Sequence, residues 1–187
     1  HLITAFLILG VTLRFYVKKN KKIIKFFVLK KKKNENKFFL LLLVFTFFQI
    51  FYGAYVSGTH SGLLYNTWPS YNEHIIPINI FEKDSLLANF FENGDFIIFF
   101  HRTFAVVLTV VLIIINYRIF TREFLFKYRT IILILDILFI IQMLLGIFMT
   151  FFNIPWHLAL LHQGNSIFIF MSLVYLHSYL NFARAKL

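Results

Sequence analysis

The chain of 187 residues contains no cysteine, so it forms no disulfide, offers no thiolate to a metal and holds no iron–sulfur cluster. Acids are also scarce: 8 Asp and Glu stand against 19 Lys and Arg, and only Asp136 lies inside an apolar segment. A di-iron bundle needs Glu-x-x-His pairs on its helices, and the apolar segments contain none. No basic stretch precedes the first apolar segment, so we expect no signal peptide.

Long apolar runs dominate what is present. The chain is 59% hydrophobic with a mean hydropathy of +0.75, and about 20 apolar residues cross a membrane. We predict an all-α integral membrane protein, a four-helix transmembrane bundle preceded by one truncated helix. The predicted apolar segments are 1–17, 38–58, 96–117, 130–153 and 158–180. We expect segment 1–17 to form a partial helix with little packing, because its partners would belong to a preceding half. The predicted domains are a truncated transmembrane helix at 1–17, a basic inner loop at 18–37, and a C-terminal four-helix domain at 38–187 with an outer loop at 59–95.

The net charge of +11 is distributed by side. If the first segment runs from outside to inside, all basic residues except Lys83 and Arg102 fall on the inner side, which follows the positive-inside rule. This pattern indicates topology and attraction to anionic lipid rather than nucleic-acid binding. We therefore expect membrane lipid, and no nucleic acid, among the partners.

Three histidines are predicted to share one depth near the outer side. At 1.5 Å per residue, His101 and His1 lie about 24 Å from the inner ends of their helices, and His162 lies about 27 Å from its inner end. A single histidine at this depth is most often an interfacial hydrogen-bonding residue. Three histidines on three helices at one depth favour a common ligand.

A weak internal repeat surrounds two of these histidines. "QIFYGAYVSG" and "QMLLGIFMTF" share the pattern Gln-x-x-x-Gly, and each precedes an outer turn and a helix headed by His. Repeats of this kind often frame a binding site at their junction. Ala105 and Ser166 lie one turn after His101 and His162, on the same helix faces. Such small residues either leave room for a flat ligand or simply let helices pack closely.

The ligand that two inward histidines suit best is heme iron. Zinc requires a third or fourth protein ligand, and no carboxylate lies one turn from either histidine on its own helix. Heme iron needs only two axial nitrogens from facing helices. Arg102 would pair with a heme propionate, since arginine binds carboxylates through short charge-assisted bonds. We predict His101 and His162 as iron ligands and Arg102 as the propionate anchor.

Three segments carry a resemblance to a known family. "GAYVSGTHSGLLYNTWP" at 53–69, "FENGDFIIFFHR" at 91–102 and "IPWHLALLHQ" at 154–163 resemble heme A synthases. The resemblance covers nearly the whole chain and corresponds to the second part of that family. It implies an eight-helix membrane oxidoreductase of two related halves, one binding the substrate heme O and the other a resident heme B. The implied reaction oxidises the C8 methyl of heme O to the formyl group of heme A, for cytochrome c oxidase assembly.

The resemblance also assigns roles to single residues. It implies that His101 and His162 ligate heme B, and that His1, at the start of the family's fourth helix, is a ligand at the substrate heme of the first half. The catalytic residues are expected in the N-terminal part, so the chain alone should be inactive. Implied partners are heme O, heme O synthase, cytochrome c oxidase assembly factors and a second copy of the chain. The implied location is a bacterial cell membrane or the mitochondrial inner membrane.

Two other functions fit the composition. One is a cytochrome b-type electron-transfer subunit, and the other is a transporter or structural bundle without a cofactor. Several residues keep two interpretations: Glu92 supports the propionate side or caps the following helix, and Trp68 with Pro69 forms a lid or an aromatic-belt turn. His60, Asp136 and His177 receive no role, and neither the electron acceptor nor the oxygen source follows from the sequence.

Overall fold

The computed structural model describes residues 1–20, 35–121 and 129–184. Within these ranges the chain is helical without strands, which confirms the predicted all-α fold. The helices are α1 (Leu2–Lys19), α2 (Glu35–Gly58), α3 (Leu86–Glu92), α4 (Gly94–Thr121), α5 (Arg129–Phe151) and α6 (Trp156–Arg184), with a 3₁₀ turn at Ser61–Leu63. Most of the basic inner loop predicted at 18–37 lies outside the described residues, as do Arg122, Lys127 and Lys186.

Four of these helices are long and apolar enough to cross a membrane. They are the Lys37–Gly58 part of α2, α4, α5 and the Trp156–Phe182 part of α6, with mean hydropathies of 1.3 to 2.8. The described part of α1 has 18 residues and carries Arg14, Lys18 and Lys19, and it is not among them. The protein is therefore a multi-pass membrane protein whose spanning helices coincide with the four apolar segments after residue 37.

The four spanning helices form a closed bundle. Helix α2 packs against α4 and α6, and α5 packs against the same two helices, so α4 and α6 lie diagonally opposite each other. Side-chain pairs fix the antiparallel direction of α4 and α5. Arg102 donates to Thr150 near their outer ends, and Asn116 donates to Asp136 near their inner ends. Each hairpin of the sequence repeat, α2 with α4 and α5 with α6, thus contributes one of the two diagonal helices.

The apolar core fills only the inner part of the space between α4 and α6. Counted from the outer end, the first buried residues of this core are Leu108 on α4 and Ile169 on α6. Each lies seven residues after the histidine of its helix. The core continues inward through Leu112, Ile115 and Ile119 on α4 and through Leu173, Leu176, Tyr179 and Leu180 on α6. The outer part of this space is consequently left to the histidines and their small neighbours.

Helix α1 packs more closely than the sequence led us to expect. We expected little packing for 1–17, but Phe6, Gly10 and Val17 are buried. The Phe6 and Phe170 rings are 5.3 Å apart, and a Cβ on Gly10 would lie 3.1 Å from Phe170. The expectation was wrong because α6 carries an aromatic face toward α1. These contacts make α1 parallel to α6 and place its first residue near the level of residue 165.

The outer connection is ordered by two buried asparagines. Asn93 Oδ1 accepts the backbone N–H of Asp95 at 3.0 Å and of Phe96 at 3.3 Å, which caps α4. Its Nδ2 donates to the Asn79 carbonyl at 2.7 Å and to Asn89 Oδ1 at 2.8 Å. Because one side chain satisfies both the helix start and the loop backbone, Asn93 fixes where α4, and with it the histidine of α4, begins.

This arrangement excludes one of the two interpretations of Glu92. The side chain of Glu92 is exposed, and the cap of α4 is its neighbour Asn93. The capping role proposed for Glu92 is therefore wrong. An Asn followed by Gly-Asp at the head of an apolar run is an N-cap signal, and it would have identified Asn93 from the sequence.

We expect Asn93→Ala to destabilise the outer region of the full-length protein. Loss of a cap costs about 1–2 kcal/mol, and the loop carbonyls lose donors as well. Proteolysis of the outer connection in detergent-solubilised protein should accelerate, and the thermal midpoint should fall. Glu92→Ala, an exposed neighbour, is the matched control. Equal behaviour of the two variants would contradict the role assigned to Asn93.

Candidate functional site

His101 lies against α2 at the glycine of the first repeat. A Cβ built on Gly53 would lie 2.9 Å from Cε1 of His101, closer than real side chains approach, so only glycine admits the imidazole here. Gln49, one turn earlier, places Nε2 3.2 Å from His101 Nδ1 and donates to the His101 backbone carbonyl at 3.0 Å. Both named residues of the Gln-x-x-x-Gly motif therefore position the histidine.

His162 lies against α5 in the corresponding way. A Cβ on Gly146 would lie 3.3 Å from Cε1 of His162. Gln142 differs from its counterpart, because its Oε1 accepts from Asn165 Nδ2 at 2.8 Å. His162 Nδ1 is buried and makes no hydrogen bond within the described residues, although the backbone of Gln142 is close enough to interact with the imidazole. The glycine–histidine contact thus recurs in both hairpins.

The two imidazoles belong to diagonally opposite helices. They are close enough to interact electrostatically. Nδ1 of His101 faces Gln49, so Nε2 is the nitrogen left for a ligand. Ala105 and Ser166 occupy the turn between each histidine and the apolar core, and the Ser166 hydroxyl donates within its own helix to the Gln163 carbonyl at 2.6 Å. Small side chains therefore lie on the inner side of each imidazole.

Arg102 is held beneath the outer connection. Its guanidinium donates to the backbone carbonyls of Thr67 at 3.0 Å and Tyr65 at 3.3 Å, and to Thr150 Oγ1 at 3.4 Å. The guanidinium carbon also lies 4.8 Å from the centre of the Tyr71 ring. Arg102 therefore joins α4, α5 and the "NTWPSY" turn at the outer end of the bundle. The sequence pointed to Arg102 but not to this contact with the turn.

The turn that covers Arg102 is itself tied to the head of α4. Tyr65 donates its hydroxyl hydrogen to Asp95 Oδ1 at 2.9 Å. Burial, and then the hydrogen bond to the Asp95 carboxylate, raise the pKa of Tyr65 to about 12. Burial also raises the pKa of Tyr71, while the neighbouring Arg102 guanidinium opposes the rise. The folded outer turn therefore favours the neutral phenols of Tyr65 and Tyr71.

We expect the outer turn to loosen at high pH. Because the folded pKa of Tyr65 is above the ordinary value of 10, its contribution is fully present below pH 10 and is lost as pH rises toward 12. Ultraviolet titration of the intact protein should show a late-titrating tyrosine that disappears in Tyr65→Phe. Tyr117→Phe, which removes an exposed phenol on α4, is the control. An unchanged titration curve above pH 10 in Tyr65→Phe would contradict this assignment.

Other candidate residues lie apart from this pair. His60 and His157 are exposed at the outer side, and His177 is buried near the inner end of α6, 2.9 Å from Asn181 Nδ2. Asp136 accepts a hydrogen bond from Asn116 Nδ2 at 2.8 Å, in the inner half of the bundle. His1 is exposed at the start of α1.

The metal-ligating side chains at this site suit a metal that is already coordinated within a cofactor, rather than a bare metal ion. Within residues 1–20, 35–121 and 129–184, no three His, Cys, Asp or Glu side chains cluster as they would around a bare metal ion. Two imidazoles on diagonal helices, each lying against a glycine, supply the two nitrogen ligands that a porphyrin iron needs from the protein. The buried Nδ1 of His162 and Oε1 of Gln49, which has no hydrogen-bond partner among the described residues, are polar atoms that such a ligand would reorganise.

Comparison with known proteins identifies the family of this chain. Residues 1–174 match the model of the COX15-CtaA family, described as cytochrome oxidase assembly protein. The chain belongs to this family. Similar curated proteins are the heme A synthases of Pelagibacter ubique, 35% identical over 66% of this chain, and of Rhizobium rhizogenes, 36% identical over 66%. The heme A synthase of Wolbachia pipientis wMel is 32% identical over 74% of this chain. The matched parts span 34% to 37% of these relatives.

Family membership confirms the resemblance read from the three motifs, which all fall within the matched range. The family is described by cytochrome oxidase assembly, and the four spanning helices show that this member lies in a membrane. A heme-related cofactor is the coarse expectation for any member.

Proposed function

We propose that this chain forms the C-terminal half of a heme A synthase, an oxidoreductase that converts the C8 methyl of heme O to the formyl group of heme A for cytochrome c oxidase. The support is the family match over residues 1–174 together with relatives named heme A synthase. Heme O is the substrate, and the catalytic groups lie in the half that precedes this chain. Heme O synthase and cytochrome oxidase assembly factors are the proposed partners in the membrane, and a second copy of the chain is a further one.

The resident cofactor of this half is heme B, with His101 and His162 as axial ligands. The observation that carries this proposal is the contact that recurs in both hairpins, in which each imidazole packs against the glycine of a Gln-x-x-x-Gly motif. A heme held by these two histidines would supply one-electron transfer. The protein's part is to hold both imidazoles on opposed helices and to exclude water with the apolar core below them.

Arg102 is proposed to anchor a propionate. The guanidinium lies beside His101 in sequence and under the outer turn, where an exposed acidic group of a membrane-embedded ligand would emerge. A propionate would replace the weaker contacts to Thr150 Oγ1 and the Tyr65 carbonyl, both at 3.3 Å or more. The outer turn at 65–71 would then cover the propionate edge and limit its exchange with water.

His1 is proposed as a ligand of the substrate heme in the preceding half. Its helix runs parallel to α6, and the contacts of Phe6 and Gly10 put His1 near the level of residue 165. That level is within about one turn of His162. Two hemes held at one depth near the outer side would allow electron transfer between the halves.

The test is pigment analysis of the full-length enzyme and of membranes that contain it. Wild type should yield a low-spin heme B and convert heme O to heme A. His101→Ala and His162→Ala should lose the low-spin signal and the conversion, whereas His157→Ala, at an exposed outer position, should retain both. Low-spin heme without any heme A formation would support the cytochrome b-type alternative. A colourless wild-type protein would support the cofactor-free bundle.

A further inference from the structure

Gln49 and Gln142, the glutamines of the two repeats, make different side-chain contacts near His101 and His162. Gln49 places its amide nitrogen 3.2 Å from Nδ1 of His101. Gln142 places its amide oxygen on Asn165 Nδ2 at 2.8 Å, so its side chain is engaged away from His162. The two imidazoles, equivalent in sequence pattern, therefore have unequal hydrogen-bond partners at Nδ1.

The contact at His101 describes one tautomer. Because the Gln49 amide nitrogen donates, Nδ1 of His101 accepts, and the imidazole proton sits on Nε2. Iron binding through Nε2 moves this proton to Nδ1. Two donors would then face each other, while Oε1 of Gln49 is buried and has no hydrogen-bond partner in the described part of the chain. Rotating the amide by half a turn brings that oxygen to Nδ1–H.

We propose that Gln49 is a positioning residue for the axial ligand His101: its amide reverses when iron binds and accepts the hydrogen bond from Nδ1–H. This inference rests on the proposed heme site. The reversal removes one hydrogen bond to the His101 carbonyl, which keeps its partner within the ladder of α4. It pairs an oxygen that is otherwise buried without a donor, which is the more costly defect.

The consequence is an iron with unequal axial ligands. An acceptor at Nδ1–H raises the donor strength of an imidazole and stabilises ferric over ferrous iron. His101 gains this from the Gln49 side chain. The Gln142 side-chain oxygen is occupied by Asn165, so only the Gln142 backbone is available to His162. Gln49 therefore lowers the midpoint potential of the heme, while Gln142 acts on the packing of α5 against α6.

The experiment is a redox titration of the low-spin heme in the full-length enzyme. Gln49→Met removes the acceptor at similar length and should weaken ferric binding about tenfold, the lower end for loss of such a partner. If the loss falls on the ferric state alone, the midpoint rises by about 59 mV for a one-electron couple. Gln49→Glu offers a stronger acceptor and should shift the midpoint in the opposite direction. Gln142→Met is the matched control and should leave the midpoint unchanged.

Opposite shifts for Gln49→Met and Gln49→Glu would support the inference, because a merely structural role gives shifts of one sign or none. The midpoint is read from bound heme, so partial misfolding lowers the signal without moving the potential. Unmoved potentials in both Gln49 variants, or an equal shift in Gln142→Met, would overturn it. His101→Ala separates the two levels: retention of the low-spin heme in that variant overturns the heme site itself, whereas its loss with unmoved Gln49 potentials overturns only this inference.

Discussion

Replacing His101 by alanine in the full-length enzyme should abolish the low-spin heme of this half, whereas replacing Arg102 by alanine should only weaken its binding. The first change removes an axial nitrogen, so the iron becomes five-coordinate or the heme is lost. The second leaves both imidazoles in place. Adjacent residues on one helix are thus expected to fail in different ways, and absorption spectra of the reduced protein distinguish them.

The size of the Arg102 effect follows from its contacts. A charge-assisted hydrogen bond contributes about 1.5–3 kcal/mol, or roughly ten- to a hundredfold in heme affinity. The turn above Arg102 also loses the donor to the Thr67 carbonyl, so heme exchange should accelerate as well. Heme titration of purified apoprotein measures the affinity, and transfer to apomyoglobin measures the exchange.

Lys83→Ala provides a control for charge alone. Lys83 is the other basic residue of the outer side, and its exposed side chain lies in the outer connection, away from the histidine pair. Removing it should change neither the spectrum nor the affinity. If Arg102→Ala abolishes the low-spin signal while His101→Ala preserves it, then the ligand has been assigned to the wrong residue.

The sequence was sufficient for the fold because the membrane makes the hydrophobic pattern unambiguous. The four long apolar segments after residue 37 became α2, α4, α5 and α6 with ends shifted by a few residues. Capping decides such ends, as Asn93 does for α4, and hydropathy does not report it. The packing of α1 was missed for a related reason. Burial of Phe6 and Gly10 depends on Phe170, which lies far away in sequence.

For the site, the sequence pointed to the residue types but not to their contacts. The repeat is visible as Gln-x-x-x-Gly, yet the reason for each glycine is an imidazole on the next spanning helix, more than 15 residues away. The different behaviour of Gln49 and Gln142 was not predictable, because it depends on Asn165 alone. Identical motifs acquire different roles when the helix that carries the histidine also supplies a competing donor.

Substituting the repeat glycines by alanine should separate heme binding from folding. In a helix, Gly→Ala gains up to about 1 kcal/mol of stability when nothing opposes the new methyl group. At Gly53 the methyl would lie 2.9 Å from Cε1 of His101, so the imidazole must move away from α2. Overpacking of this kind costs about 1–3 kcal/mol. We expect Gly53→Ala to lose six-coordinate heme while its apoprotein remains folded.

The other glycines provide a graded series for the same measurement. At Gly146 the methyl would lie 3.3 Å from Cε1 of His162, so a displacement of a few tenths of an ångström suffices, and heme affinity should fall less than at Gly53. Gly164 lies two residues after His162 and would meet nothing within 4 Å, so Gly164→Ala should retain the spectrum and gain thermal stability. We therefore expect heme affinity to be highest in Gly164→Ala, lower in Gly146→Ala and lowest in Gly53→Ala. Equal affinities across the three variants would show that the glycines serve helix packing alone, because only the contact with the imidazoles distinguishes them.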